Sequence, residues 1–151
     1  MRAVLQRVSH AKVKVAGEVL GEIQSGLLVL ACAMAGDTVA DTQFIAHKIS
    51  TLRIFHDEQG KMNKSISDTG RAVLLISQFT LAADTSSGTR PSFSTAMPPG
   101  DAEQMIDELA AMLKQDGLEV ATGEFGALME VELTNQGPVT VYIDSRAKKR
   151  K

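Results

Sequence analysis

The chain has 151 residues, a formal net charge of −2, 44% apolar and 23% charged residues, and 4% aromatics. These values exclude a disordered, collagen-like or coiled-coil chain, and a domain of this size buries roughly 70% of its unfolded surface without staples. One cysteine, Cys32, excludes an intrachain disulfide and a cysteine-cluster metal site, and so few aromatics argue against a protein built mainly from base-stacking platforms.

Charge is unevenly laid out. Residues 1–75 hold nine Lys/Arg against seven Asp/Glu, residues 76–145 hold two against eleven, and residues 146–151 hold five against none. The acidic stretch argues against a chain that coats nucleic acid with its whole surface. The basic end, 146–151, reads either as a nucleic-acid contact or as a solvated tail. Met1 to Arg7 turns polar before a signal-peptide core appears. The longest apolar run, Leu27 to Ala35, is far short of the ~20 residues of a membrane span. A soluble, cytoplasmic protein of one domain over 1–145, without membrane contact, is expected.

In chain order, Ala11, Val13 and Val15 alternate with Lys12 and Lys14, a strand with one wet face. Ala16-Gly17 turns it back along Val19 to Ile23. Leu27 to Cys32 is continuously apolar, as in a strand buried on both faces, with Cys32 a small core residue. A helix follows, capped by Asp37 or Thr38, with Ile45, Ile49 and Leu52 on one face. Arg53 to Phe55 reads as a short strand, Asp57 to Gly60 as a turn, and Ala72 to Phe79 as a second buried strand. Residues 82–100 form a long irregular stretch, of the kind that is usually functional or disordered. The second helix has a capping box at Asp101 and Gln104, an apolar stripe from Met105 through Leu113, and a stop at Gly117. Two strands close the chain: one alternating from Ala127 to Thr134, one from Pro138 to Ile143. The order implies an α+β fold with a mixed or antiparallel sheet, or a partial barrel, and two main helices.

Familiar catalytic sets are missing. No G-x-S-x-G elbow, Gly-rich phosphate loop, H-E-x-x-H or paired His/Cys spacing occurs, and no metal or cofactor is expected. His10, His47 and His56 are scattered and read as surface or capping residues. Two segments carry unusual chemistry. In Ser77-Gln78-Phe79-Thr80-Leu81 an apolar run turns abruptly polar beside the irregular stretch, either a plain strand end or a site where backbone N–H groups leave the ladder. Asn135 to Thr140 reads as a hairpin, although its Gly137–Pro138 bond can also be cis.

Ser77 to Leu81, Gly88-Thr89-Arg90-Pro91-Ser92-Phe93 and Asn135-Gln136-Gly137-Pro138-Val139-Thr140 together resemble the D-aminoacyl-tRNA deacylase family, also called D-tyrosyl-tRNA deacylases. The opening Met1 to Val8, Arg53 to Phe55, Gly60 to Asn63 and Thr122 to Ala127 are similar as well, in the same order across about residues 1–145. The resemblance implies a homodimeric α+β hydrolase that proofreads handedness in translation. It would cleave the ester between a D-amino acid, or glycine, and the 3′-terminal adenosine of tRNA. It implies that Gly137 and cis-Pro138 of one subunit enter the other's pocket and reject an L side chain. It further implies that Arg7 supports that segment, that Phe125 and Met129 bind substrate, and that Ser77, Gln78, Phe79 and Thr80 form the catalytic segment. Thr80 has no sequence-adjacent base to activate its hydroxyl. Ser87 stands where the family often has Lys or Arg, and the tail 146–151 extends past the family's usual end. Two other readings stay open: a non-catalytic RNA-binding or interaction module of the same fold, and a Ser/Thr esterase unrelated to tRNA, which would need a histidine near Ser77 or Thr80.

Overall fold

Fourteen residues from Arg2 to Val15 form β1, the strand around which the rest is organised. In this computed structural model, which describes residues 1–147, β1 pairs along one edge with β3 (Gly26–Cys32) and then with β2 (Glu18–Ile23). Its other edge pairs with β8 (Met129–Asp144). β6 (Ala72–Ser77) lies parallel to β3, and β7 (Glu119–Thr122) parallel to β6, so the sheet runs β2-β1-β3-β6-β7 with β8 beside β1. The sheet is mixed, as expected. It curls until β2 approaches β7, where a Cβ on Gly21 would come within 2.7 Å of the Thr122 carbonyl oxygen. Only a residue without a side chain lets the two backbones meet there.

The continuous apolar runs of β3 and β6 are explained by this curl, because both faces of the sheet are covered. On one face α1 (Val39–Thr51) and α3 (Pro99–Gln115) pack Ile45, Ile49, Ile106, Leu109 and Leu113 against Leu5, Val29, Val73 and Leu75. On the concave face Val8, Val13, Ile23, Leu28, Leu74 and Ile76 pack with Met129 and Val131 of β8. Burying each of these side chains is worth about 1.5–3 kcal/mol. A small two-stranded sheet, β4 (Phe55–His56) with β5 (Met62–Lys64), and the one-turn helix α2 (Ile66–Thr69) complete the α+β domain.

Several expectations change. β1 begins at Arg2 rather than near Ala11, because Arg7 sits at an inward position and interrupts the apolar alternation. The short strand falls at 55–56 instead of 53–55, and β7 was not expected at all. α3 starts at Pro99 with Pro98 as its cap, so Asp101 and Gln104 lie inside the helix instead of forming its capping box. Leu52 is the cap that ends α1, whereas Thr38 does open it, its N–H donating to Asp41 at 2.8 Å.

The expected hairpin at Asn135 is also overturned. β8 continues in one direction past it: Asn135 pairs with Val8 and Thr140 with Gln6, so β8 advances five residues while β1 advances two. The extra residues bulge out of the ladder. Of the expected basic tail, residues 148–151 lie outside the described ones. Arg146 is folded back, its Nε donating to Asp37 at 3.0 Å and Nη2 to the Ala35 carbonyl.

Candidate active site

β6 delivers the first wall of a cavity. Its last residue, Ser77, is half-buried, and the Gln78 N–H still donates to the Ala31 carbonyl at 2.8 Å, extending the parallel ladder by one bond. The chain then tightens into a 3-10 turn, Phe79–Ala82, whose Leu81 N–H donates to the Gln78 carbonyl at 3.2 Å. The N–H groups of Phe79 and Thr80 therefore precede the first internal bond of the turn. Ser77, Gln78 and Phe79 line a cavity of about 610 Å³ together with Phe93, Met97, Phe125 and Met129. The lining is mostly apolar with a few polar groups at one side, the usual make-up of a small-molecule site.

Cys32 also faces this cavity, with its Sγ near the Phe79 carbonyl at 3.6 Å. Burial pushes its thiol up from the ordinary range, against the pull of the Arg2 guanidinium and the N-terminal ammonium. A thiol so raised is a poor nucleophile. Thr80 is exposed, and its Oγ1 accepts a hydrogen bond from Gln78 Nε2. No histidine lines the cavity among the described residues, which removes the ground for a Ser/Thr esterase with a histidine base. His10, His47 and His56 lie at or near the surface.

Gly137, Pro138 and Arg7 belong to a different place and do not line this chain's own cavity. The Gly137–Pro138 peptide is cis. Gly137 adopts φ +146, where a Cβ would lie 2.8 Å from Val139 Cγ2 and 3.2 Å from Arg7 Nη2. Arg7, only 4% exposed, holds the bulge from below: its Nε donates to the Gln136 carbonyl at 2.9 Å and its Nη1 to the Ile54 carbonyl at 2.8 Å. Asn135 closes the bulge from above. Its Oδ1 accepts from the Val139 N–H at 2.8 Å, and its Nδ2 donates to Thr140 Oγ1 at 3.0 Å.

Two stretches of backbone are thus held in defined shapes, one just after the interior strand β6 and one within the edge strand β8. The family model described as D-Tyr-tRNA(Tyr) deacylase matches residues 4–144. The chain belongs to that family. The D-aminoacyl-tRNA deacylase of Ruegeria pomeroyi is 58% identical over 144 residues, 95% of this chain and 99% of that one. A solved structure described as c-Myc DNA Unwinding Element Binding Protein is 38% identical with a TM-score of 0.92, covering 97% of this chain and 100% of that one. A probable eukaryotic D-amino acid tRNA deacylase, 14% identical with a TM-score of 0.76 over 94% of this chain and 97% of that one, shares the fold.

Sequence reading named Ser77, Gln78, Phe79, Phe125 and Met129, which the fold brings together. It did not assign Cys32, Phe93 or Met97 to the site: Phe93 stood only within the Gly88–Phe93 motif, Cys32 read as a small core residue, and Met97 carries no local signal. It also missed Asn135 as the clasp of the bulge, which the run Asn-x-x-x-Val-Thr could have suggested. Among the described residues no three His, Cys, Asp or Glu side chains gather into a metal cluster, and no helix is long and apolar enough to cross a membrane.

Proposed function

We propose that the chain hydrolyses the ester of a D-amino acid, or of glycine, with the 3′-terminal adenosine of tRNA, and that it does so as a homodimer. The observation that carries this reading is the separation of its two held segments. The Gly137–Pro138 bulge is exposed and clasped, yet stands outside the cavity that Ser77 to Phe79 line. A bulge in that position serves a site in a second copy, where its close backbone excludes an L side chain and admits a hydrogen. A site that takes many D side chains cannot read them, so it reads handedness through fixed backbone.

The cavity accepts the aminoacyl-adenosine end. Water attacks the ester carbonyl carbon, and the N–H groups of Phe79 and Thr80 donate to the oxygen that becomes negative, an effect of roughly 3–4 kcal/mol per donor in a known esterolytic case. The acyl C–O bond then breaks. The ribose oxygen leaves with the proton given up by the water, relayed by the neighbouring ribose hydroxyl, and the products are free amino acid and tRNA. Thr80 serves through its backbone, because its hydroxyl meets only Gln78.

The name of the 38% identical relative favours one second reading, a nucleic-acid-binding module without catalysis. Matched D- and L-tyrosyl-tRNA separate the two, with wild type assayed beside Gly137→Ala. Clearance of the D ester alone, with the preference blurred or lost in Gly137→Ala, supports the deacylase. Clearance of neither ester favours the module.

A further inference from the structure

Phe79 leaves 59% of its surface exposed, high for an aromatic at the wall of an apolar cavity. Its ring meets that of Phe93 edge-on, with centroids 5.1 Å apart and planes at 68°. Both rings are fixed by backbone. Phe79 opens the 3-10 turn, and Phe93 directly follows a two-bond bridge in which Asp84 and Ser92 each donate N–H to the other's carbonyl at 2.8 and 2.9 Å. The loop that this bridge closes, 85–91, is exposed and contains one charged residue, Arg90. Arg90 is also one of only two cations between residues 76 and 145, against eleven acids.

An exposed ring, its half-buried partner and a cation therefore sit on neighbouring segments, the two rings lining the cavity and the cation in the loop that ends just before Phe93. We propose that they form a second subsite, for the nucleotide that precedes the esterified adenosine: its base stacks on the Phe79–Phe93 pair and its phosphate meets Arg90. The inference rests on the deacylase reading above. Continuity and charge select this occupant. A single strand whose last residue fills the cavity must leave over its rim, and Arg90 is the one charged residue of the exposed loop 85–91 beside it, where a phosphate meets a favourable potential. Aromatic rings hold any base by its flat face, which suits an enzyme that must accept many tRNAs.

The test compares two substrates, full-length D-tyrosyl-tRNA and the D-tyrosyl ester of adenosine alone, with wild type, Arg90→Gln and Phe93→Leu. Arg90→Gln lies on an exposed loop and leaves folding intact. On tRNA it is expected to raise KM roughly 5- to 20-fold at unchanged kcat. It should also flatten the dependence of log kcat/KM on log salt by about 0.7, the single-strand value for one phosphate. Phe93→Leu keeps the apolar volume but loses the π face, and should raise KM on tRNA by roughly 5-fold or more. On the short ester Arg90→Gln should stay within about twofold, and Phe93→Leu, whose ring also lines the cavity, should lose clearly less than it does on tRNA. Equal losses on the two substrates would show that these side chains only shape the cavity, and no loss on either would remove the subsite. Failure of wild type to cleave either ester would instead overturn the deacylase reading and the subsite with it.

Discussion

Two buried cations, one just before β1 and one within it, are treated in opposite ways. The Met1 ammonium, at 0% exposure, lies 2.7 Å from Asp37 Oδ2, whose side chain is equally buried, and donates to Ser145 Oγ at 2.6 Å. Arg146 approaches the other Asp37 oxygen at 2.7 Å, so charge is answered by charge. Six residues further on, Arg7 is nearly as buried, but it donates to the neutral carbonyls of Gln136 and Ile54, and it has no carboxylate partner among the described residues. The first cluster pins the start of β1 to the turn after β8. The second keeps an uncompensated positive charge behind the Gly137–Pro138 bulge. Burying a charge with only dipoles around it is costly, and such an arrangement is a sign that the supported segment is used.

The sharpest way to break this contrast is to substitute one residue at each place. Asp37→Asn leaves an ammonium and a guanidinium without their carboxylate and should cost about 3–5 kcal/mol of stability. In a denaturant titration the midpoint should fall steeply, while the activity of the molecules that remain folded stays near wild type. Arg7→Lys keeps the charge but loses the fork that reaches two carbonyls at once. It should cost only about 1–2 kcal/mol while lowering kcat/KM on D-tyrosyl-tRNA by 10-fold or more, on the order of the loss expected when a positioning residue shifts by an ångström. If Asp37→Asn instead erased the preference for the D ester and Arg7→Lys did not, the assignment of roles would be reversed.

Smaller effects test the neighbouring residues. On the proposed water attack, Thr80→Ala should stay within about tenfold of wild type in kcat; a loss beyond about 10⁴ would point to covalent catalysis. Acid titration separates structural carboxylates from the site. The Asp68 carboxyl is held below its ordinary value of 3.8 mainly by the Ser65 N–H. Burial pushes Asp41 up, but hydrogen bonds from Ser145 and Thr38 outweigh it and leave it lowered from 3.8. Both groups bind fewer protons folded than unfolded near their midpoints. Their stabilisation is therefore complete above the ordinary value and disappears as pH falls through the lower folded values. A melting temperature that is flat near neutrality and declines only below about pH 4 would agree; a decline beginning near pH 6 would implicate histidine instead.

Some of this was legible without coordinates. The apolar runs at Leu27 to Cys32 and Ala72 to Ile76 can bury both faces only inside a covered sheet, and they became β3 and β6. The stripe from Met105 to Leu113 has one helical period, and it became α3. The polar break at Ser77 falls at the wall of the cavity, where β6 ends two residues short of the expected Phe79 and the backbone leaves the ladder after Gln78. Composition and local period determine these features, since each depends on residues a few positions apart.

The rest depends on partners far away in sequence. Asn135-Gln136-Gly137 has the local chemistry of a hairpin, but β1 offers one continuous edge to both flanking halves, and pairing along that edge outweighs the turn preference. Arg7 looked like a polar interruption until carbonyls 47 and 129 residues away received its donors. Phe93 and Cys32 entered the cavity only because the sheet's curl and the Asp84–Ser92 bridge brought separate segments to one rim. The sequence by itself determined the buried strands β3 and β6, the striped helix α3 and the family motifs, because those follow from short-range period and residue chemistry. The tertiary structure alone decided which of them face a common space, because strand register and the closure of the sheet are set by long-range pairing that no local pattern contains.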